Sequence, residues 1–132
     1  MSICIDLQNV SYRYPDGTCA LADINLSLKG PEKIVLLGEN GAGKSTLFSL
    51  LVGMLRPSQG RLFIDGRPAS YRGSALRCWR SRVGFVFQDP DIQLFSASVK
   101  QDVSFGPVNL GLDKTEVRRC TERALEQAGV AE

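Results

Sequence analysis

The chain has 132 residues, 43% of them hydrophobic and 23% charged, and a formal net charge of +2. This composition is typical of a globular domain, and the length allows one domain rather than two. Because the basic residues are scattered, charge gives no case for a nucleic-acid partner. No apolar run approaches the ~20 residues that a bilayer span requires.

Histidine is absent from the chain, which excludes histidine-based acid-base or triad chemistry within it. The four cysteines are widely spaced and form no C-x-x-C pair, so neither a zinc site nor a disulfide framework is indicated. We expect four free thiols.

The first half of the chain is predicted to form mainly strands. Residues 3–7 and 21–28 flank the turn Pro15-Asp16-Gly17, and the second segment alternates apolar and polar residues, as a half-buried strand does. Residues 34–37 are continuously apolar, which predicts a strand covered on both faces and ended by Gly38.

A largely buried helix is predicted to begin at Lys44 and to end before Pro57. Two further strands are predicted at residues 61–66 and 83–87, separated by a polar segment that contains Trp79. After Pro90 the pattern becomes mostly helical.

The last segment gives the clearest helix signal. Asp113 is a suitable N-cap, Glu116 completes a capping box, and Gly129 is a natural stop. This helix carries an apolar stripe that must be buried against something, formed by Val117, Cys120, Ala124, Leu125 and Ala128.

Residues 38–46 match G-x-x-x-x-G-K-[ST], the P-loop motif, between a predicted buried strand and a predicted helix. Glycines let successive backbone N–H groups converge on phosphate oxygens, and the helix directs its positive end to the same place. The motif therefore predicts binding of MgATP, with Lys44 on the β- and γ-phosphates and the Ser45 hydroxyl on Mg²⁺. The predicted nucleotide-binding positions in this loop are Gly38, Asn40, Gly41, Ala42, Gly43, Lys44, Ser45 and Thr46.

Other segments occur in the order and spacing of ABC-type ATPases, and the chain resembles that family over nearly its whole length. They are residues 10–17, 21–26, the P-loop, 60–66 and 83–90. Residues 87–95 and 101–112 are similar to the energy-coupling-factor importers, most of all to their cobalt and nickel uptake ATPases.

This resemblance implies roles for two more residues. Tyr14 corresponds to the aromatic residue that stacks on adenine, although a core or turn tyrosine beside Pro15 is the alternative. Gln88 corresponds to the Q-loop glutamine, which binds Mg²⁺ or orients the attacking water; a solvated glutamine at a strand end is the alternative. Lys44 and Gln88 are thus the expected catalytic residues.

Ile92, Leu94 and Phe95 lie in a loop where polar residues are usual. The resemblance makes them part of a surface that receives a helix from a membrane subunit, whereas a small core cluster remains the alternative.

Several parts of an ABC ATPase are missing from the sequence: an L-S-G-G-Q-like signature, an apolar strand ending in Asp-Glu, and a switch histidine. Residues 62–65 imitate that strand, but Gly66 stands where the catalytic glutamate is needed. We therefore expect ATP binding without hydrolysis by this chain alone.

The resemblance implies an α/β fold, a P-loop NTPase core of the ABC ATPase type with an antiparallel β subdomain, cut off before the signature and Walker B region. Residues 1–132 would form a partial ATPase domain, with the P-loop strand and helix at 34–56, the Q-loop near Gln88 and the start of a helical subdomain at about 98–130. The implied partners are transmembrane importer subunits and a second ATPase subunit, at the cytoplasmic face of the membrane.

Two alternatives to an importer ATPase remain. One is a nucleotide-binding fragment without turnover. The other is a P-loop kinase or GTPase, although the chain has neither a D-x-x-G nor an N-K-x-D motif.

Overall fold

A computed structural model describes residues 3–130, except for the side chains of Pro90 and Ile92. Two units meet in the chain between Gly84 and Phe85. The first contains β1 (Cys4–Arg13), β2 (Cys19–Lys29), α1 (Lys44–Leu51), β3 (Gln59–Ile64), β4 (Arg67–Pro68) and α2 (Gly73–Arg80). The second contains a 3-10 turn (Pro90–Gln93), α3 (Val99–Asn109) and α4 (Lys114–Ala128).

The sheet of the first unit is antiparallel and four-stranded, with the order β2-β1-β3-β4. Leu7 on the central strand β1 faces Leu26 of β2 and Leu62 of β3. The β1–β2 register shifts between Leu7 and Val10, where Asn9 has a positive φ of 51°. This sheet confirms the predicted antiparallel β subdomain and the turn at residues 15–17.

Helix α1 covers one face of this sheet. Its buried residues Leu47, Leu50 and Leu51 join one apolar cluster with side chains of β1, β2 and β3, among them Leu7 and Leu62. Burial of apolar surface on this scale is the main stabilising contribution in a small unit. Because α1 is anchored in this way, its N-terminus and the loop before it are held beside β2.

The prediction of a doubly covered strand at residues 34–37 is wrong. The segment has no assigned secondary structure, and the described residues provide no strand that pairs with it. Val35 is 78% and Leu37 86% exposed. A strand of this kind forms only when neighbouring strands supply hydrogen bonds on its edges, and the one described sheet lies elsewhere in sequence.

The predicted strand at residues 83–87 is also not formed, for the same reason. Within this segment, Val86 is exposed, while Phe85 and Phe87 make an edge-to-face contact with ring centroids 4.7 Å apart.

The helix predicted up to Pro57 ends earlier, at Leu51. Gly53 takes a positive φ of 71°, and the N–H groups of Gly53 and Met54 donate to the carbonyls of Leu50 and Ser49, which closes the helix. The polar segment around Trp79, for which we predicted no element, contains helix α2.

In the second unit, α3 and α4 pack against each other. The predicted cap of α4 is confirmed, since Asp113 Oδ1 accepts from the N–H groups of Thr115 and Glu116 at 2.8 and 3.0 Å. Gly129 ends the helix with a φ of 70°. Of the predicted stripe, Val117, Cys120 and Leu125 are half-buried, whereas Ala124 and Ala128 stay exposed.

All four cysteines are free, as expected. Burial and a hydrogen bond to the Asp6 carboxylate raise the pKa of the Cys4 thiol, so it is not an activated thiolate. Within residues 3–130, no helix has both the length and the apolar character that a membrane span needs.

Candidate functional site

The loop at residues 38–46 joins the exposed segment 34–37 to helix α1. Gly41 and Gly43 have positive φ angles of 87° and 84°, and the Ala42 N–H donates to the Glu39 carbonyl at 3.2 Å. Gly43 is the N-cap residue of α1 and offers no side-chain cap. The first N–H groups of α1 therefore have no capping side chain and can bind an anion, which the helix dipole also favours.

The loop is held against the start of β2. A Cβ atom on Gly43 would lie 2.4 Å from the Ala20 carbonyl oxygen and 3.0 Å from Leu21 Cδ2. Only glycine combines this approach with a positive φ. The contact holds Gly43 against the start of β2. The sequence pattern did not indicate that Ala20 takes part.

Lys44 bends back over its own loop. Its ammonium Nζ donates to the carbonyls of Gly38 and Glu39 at 2.7 and 2.6 Å. These two bonds hold the positive charge at the loop rather than in open solvent. The ammonium therefore stands among the loop residues that the motif assigns to phosphate binding.

Tyr14 lies beside the same loop. Its hydroxyl shares a hydrogen bond of 2.9 Å with Thr46 Oγ1, and its ring meets Tyr12 edge-on at 5.0 Å. Thr46 is buried, whereas Ser45 next to it is exposed. The structure thus brings Tyr14 together with the loop residues, through a partner, Thr46, that the motif alone did not connect to Tyr14.

Gln88 and the residues after it belong to the second unit. Gln88 is exposed; Asp89 caps the 3-10 turn by accepting from the Asp91 N–H at 3.2 Å. Leu94 and Phe95 are 65% and 64% exposed, and Phe95 meets Phe105 edge-on at 4.8 Å. Leu94 and Phe95 are therefore not core residues; the side chain of Ile92 lies outside the description.

The loop residues suit a polyphosphate with a divalent cation. Positive-φ glycines, an uncapped helix start and one ammonium group are complementary to anionic oxygens. The exposed Ser45 hydroxyl, on the first turn of α1, is the hard oxygen ligand that Mg²⁺ prefers.

Comparison with known proteins gives consistent matches. The profile of the ABC transporter family matches residues 21–132. The energy-coupling factor transporter ATP-binding protein EcfA of Methanothermobacter thermautotrophicus is 48% identical over 127 residues, which are 96% of this chain and 41% of that protein. EcfA of Methanocaldococcus jannaschii is 48% identical over 96% of this chain and 45% of its own length.

A solved structure of cbiO1 from Clostridium perfringens, part of the ABC transporter complex cbiONQ, is 47% identical with a TM-score of 0.80. The match covers 96% of this chain and 50% of that one. This chain thus spans less than half the length of the curated EcfA relatives. It belongs to the ABC transporter family and is similar to the ATP-binding proteins of energy-coupling factor transporters.

Proposed function

We propose that this chain binds MgATP in the loop at residues 38–46 and supplies the nucleotide-binding part of an importer ATPase of the energy-coupling-factor type. The observation that carries the proposal is the geometry of that loop. The loop contains two positive-φ glycines, leads into the uncapped start of α1 and holds the Lys44 ammonium against its own carbonyls. The 48% identity to proteins named EcfA supports the importer role.

Each binding residue has a chemical task in this proposal. The amides around Gly41 and Gly43, with Lys44, hold the phosphates; Ser45 and Gln88 are ligands of Mg²⁺, and Tyr14 stacks on adenine. Bound Mg²⁺ neutralises phosphate charge as it develops. Gln88 acts as a catalytic residue only when it reaches the nucleotide.

Hydrolysis, in our proposal, requires residues outside this chain. The sequence contains no Asp-Glu strand end and no signature motif, so nothing polarises the attacking water or closes over the γ-phosphate. We infer that the 132 residues alone bind ATP without turning it over.

We further propose that the ATPase acts at the cytoplasmic face of a membrane, with transmembrane subunits and a second ATPase subunit, and that cobalt or nickel ion is the cargo. The exposed Leu94 and Phe95 support a docking surface for a membrane subunit, because adjacent exposed apolar side chains can bury their surface against a partner. The similarity of residues 87–112 to cobalt and nickel uptake ATPases motivates the choice of ion. Co-expression with the membrane subunits tests this part: Leu94→Ser with Phe95→Ser should reduce co-purification, and Val86→Ser, an exposed control, should not.

Calorimetric titration with MgATP tests the binding proposal. We expect Lys44→Ala to weaken binding at least tenfold, because a charge-assisted contact to phosphate is lost. Lys33→Ala, an exposed lysine before the loop, is the matched control and should change affinity less than twofold. Absence of MgATP binding by the folded wild-type chain contradicts the proposal.

Phosphate release by the purified chain tests the inactivity. Steady hydrolysis that Lys44→Ala abolishes would show that the chain is a complete enzyme.

The role of Ser45 as a ligand of Mg²⁺ is tested by Ser45→Ala, which should weaken MgATP binding more than binding of metal-free ATP. Ser49→Ala is its control. Ser49 lies one turn after Ser45, and its Oγ donates to the Ser45 carbonyl at 2.8 Å. This variant should change the binding of MgATP and of metal-free ATP equally.

A further inference from the structure

Tyr14, the residue that stacks on adenine in the proposed function, lies in the turn at residues 14–18 between β1 and β2. Two backbone bonds close this turn: the Tyr14 N–H donates to the Thr18 carbonyl at 2.9 Å, and the Gly17 N–H donates to the Tyr14 carbonyl at 3.0 Å. Every residue of the turn is exposed. Hydrogen bonds, rather than burial in the core, therefore determine where this turn holds Tyr14.

Arg13, the last residue of β1, adds a hydrogen bond across the turn. Its guanidinium Nη1 donates to the Gly17 carbonyl at 2.5 Å. The backbone of Arg13 is itself fixed, because its N–H donates to Ser58 Oγ at 3.0 Å and the residue pairs with Cys19 of β2. A hydrogen bond from a charged donor is stronger than one between neutral groups. The Arg13 side chain thus ties Gly17, in the turn, to the end of the sheet.

The Tyr14 side chain has contacts of its own, which hold the ring but not the turn. Its hydroxyl bonds to Thr46 Oγ1 at 2.9 Å, and its ring makes a T-shaped contact with Tyr12, which packs against the apolar core. The ring keeps one place only if the backbone that carries it is also restrained. A turn that is free to move would lose conformational entropy when a base stacks on Tyr14, and this loss would weaken binding.

We propose that Arg13 is a positioning residue for nucleotide binding. Its bond to Gly17 holds the turn in the shape that presents the Tyr14 ring to the base. Arg13 acts through Tyr14 and not through a contact with the phosphates. This inference rests on the proposed function, because it requires that the chain binds MgATP and that Tyr14 stacks on adenine.

Calorimetric titration of the 132-residue chain with MgATP and with the magnesium complex of inorganic triphosphate tests the role of Arg13. Arg13→Ala should weaken MgATP binding by about fivefold, the effect of one hydrogen bond at an exposed position. Triphosphate has no base, so its binding should change by less than about twofold. Arg13→Lys keeps a charged donor and should recover part of the loss. Arg61→Ala, which removes an exposed arginine from β3, is the control for charge and should leave both ligands within about twofold of the wild-type affinity.

A double-mutant cycle tests whether Arg13 acts through Tyr14. In a chain that already carries Tyr14→Ala, Arg13→Ala should cause no further loss of MgATP affinity, because the ring that it positions is gone. Arg13→Met keeps the length of the side chain without a donor and should behave as Arg13→Ala does. It decides the question if the alanine variant does not fold.

Three results would overturn the inference: unchanged MgATP affinity in Arg13→Ala and Arg13→Met, equal losses for MgATP and triphosphate, or the full loss in the Tyr14→Ala background. Equal losses for the two ligands would mean that Arg13 acts as a charge on the phosphates. These results are distinct from failure of the proposed function, in which the wild-type chain itself does not bind MgATP.

Discussion

At the scale of single residues, Tyr14 shows how one side chain can join two parts of a site. Its hydroxyl reaches Thr46 in α1, while the residue is 37% exposed and its ring makes a T-shaped contact with Tyr12. A partly exposed aromatic ring of this kind suits stacking on a base. The hydroxyl and the ring can therefore be tested separately.

We predict that Tyr14→Ala weakens ATP binding by about tenfold or more, since stacking of a base on an aromatic ring contributes about 1–3 kcal/mol. Tyr14→Phe keeps the ring and should lose less than threefold. Inorganic triphosphate, measured by calorimetry in the same variants, is the control, because it has no base to stack. If Tyr14→Ala weakens triphosphate and ATP equally, Tyr14 supports the loop and does not stack on adenine.

Asp65 gives a prediction about pH. Its hydrogen bonds with the Arg82 guanidinium, foremost, and with the Cys4 N–H hold the pKa of the carboxyl below its ordinary value. A lowered folded-state pKa means that this stabilisation is complete above the ordinary value and is lost as the pH falls through the folded-state pKa.

Urea unfolding at pH 7 and at pH 3 should therefore show a smaller loss of stability in Asp65→Asn than in the wild-type chain. The variant has no carboxyl to protonate at this position, so its contribution cannot change with pH. The same pH dependence in both proteins would show that the Arg82–Asp65 contact is too exposed to affect folding.

At the scale of elements, local signals were sufficient where the element depends on its own residues. Helix α4 begins and ends where Asp113 and Gly129 predicted, because capping involves only neighbouring backbone groups. A strand at residues 34–37 needs backbone hydrogen bonds from other strands. The composition of the segment alone therefore could not predict whether a strand forms. Helix α2 was missed because its apolar residues, Leu76 and Trp79, are few among arginines; their spacing of three residues was the available signal.

We predict that Asp113→Ala lowers the free energy of unfolding of the helical unit by about 1 kcal/mol, the usual contribution of an N-cap side chain. Asp113→Asn retains an oxygen acceptor and should lose at most a few tenths of that amount. Chemical denaturation followed by circular dichroism at 222 nm measures both. Equal stability of the alanine and asparagine variants would mean that water replaces the cap.

At the scale of the whole molecule, the order of motifs predicted the family and the antiparallel subdomain, and both are confirmed. The loop residues were predictable because the motif prescribes a local backbone path. The approach of Ala20 to Gly43 and the bond from Tyr14 to Thr46 were not, because they join residues 23 and 32 positions apart, beyond any local pattern.

The exposed apolar segment at residues 34–37 leads to the last prediction. Val35 and Leu37 are almost fully in solvent, and the backbone beside them pairs with no described strand. Exposed apolar side chains on a backbone without strand partners can pair with other chains, including a second copy. We expect the isolated chain to associate with increasing concentration in sedimentation velocity, and Val35→Lys with Leu37→Lys to suppress this association. Ala22→Lys, at an exposed position of β2, adds charge outside the segment and should leave the association largely unchanged. Two outcomes would contradict this prediction: association that persists in the double variant, or association that Ala22→Lys removes equally well. Either would mean that the chains associate through another surface.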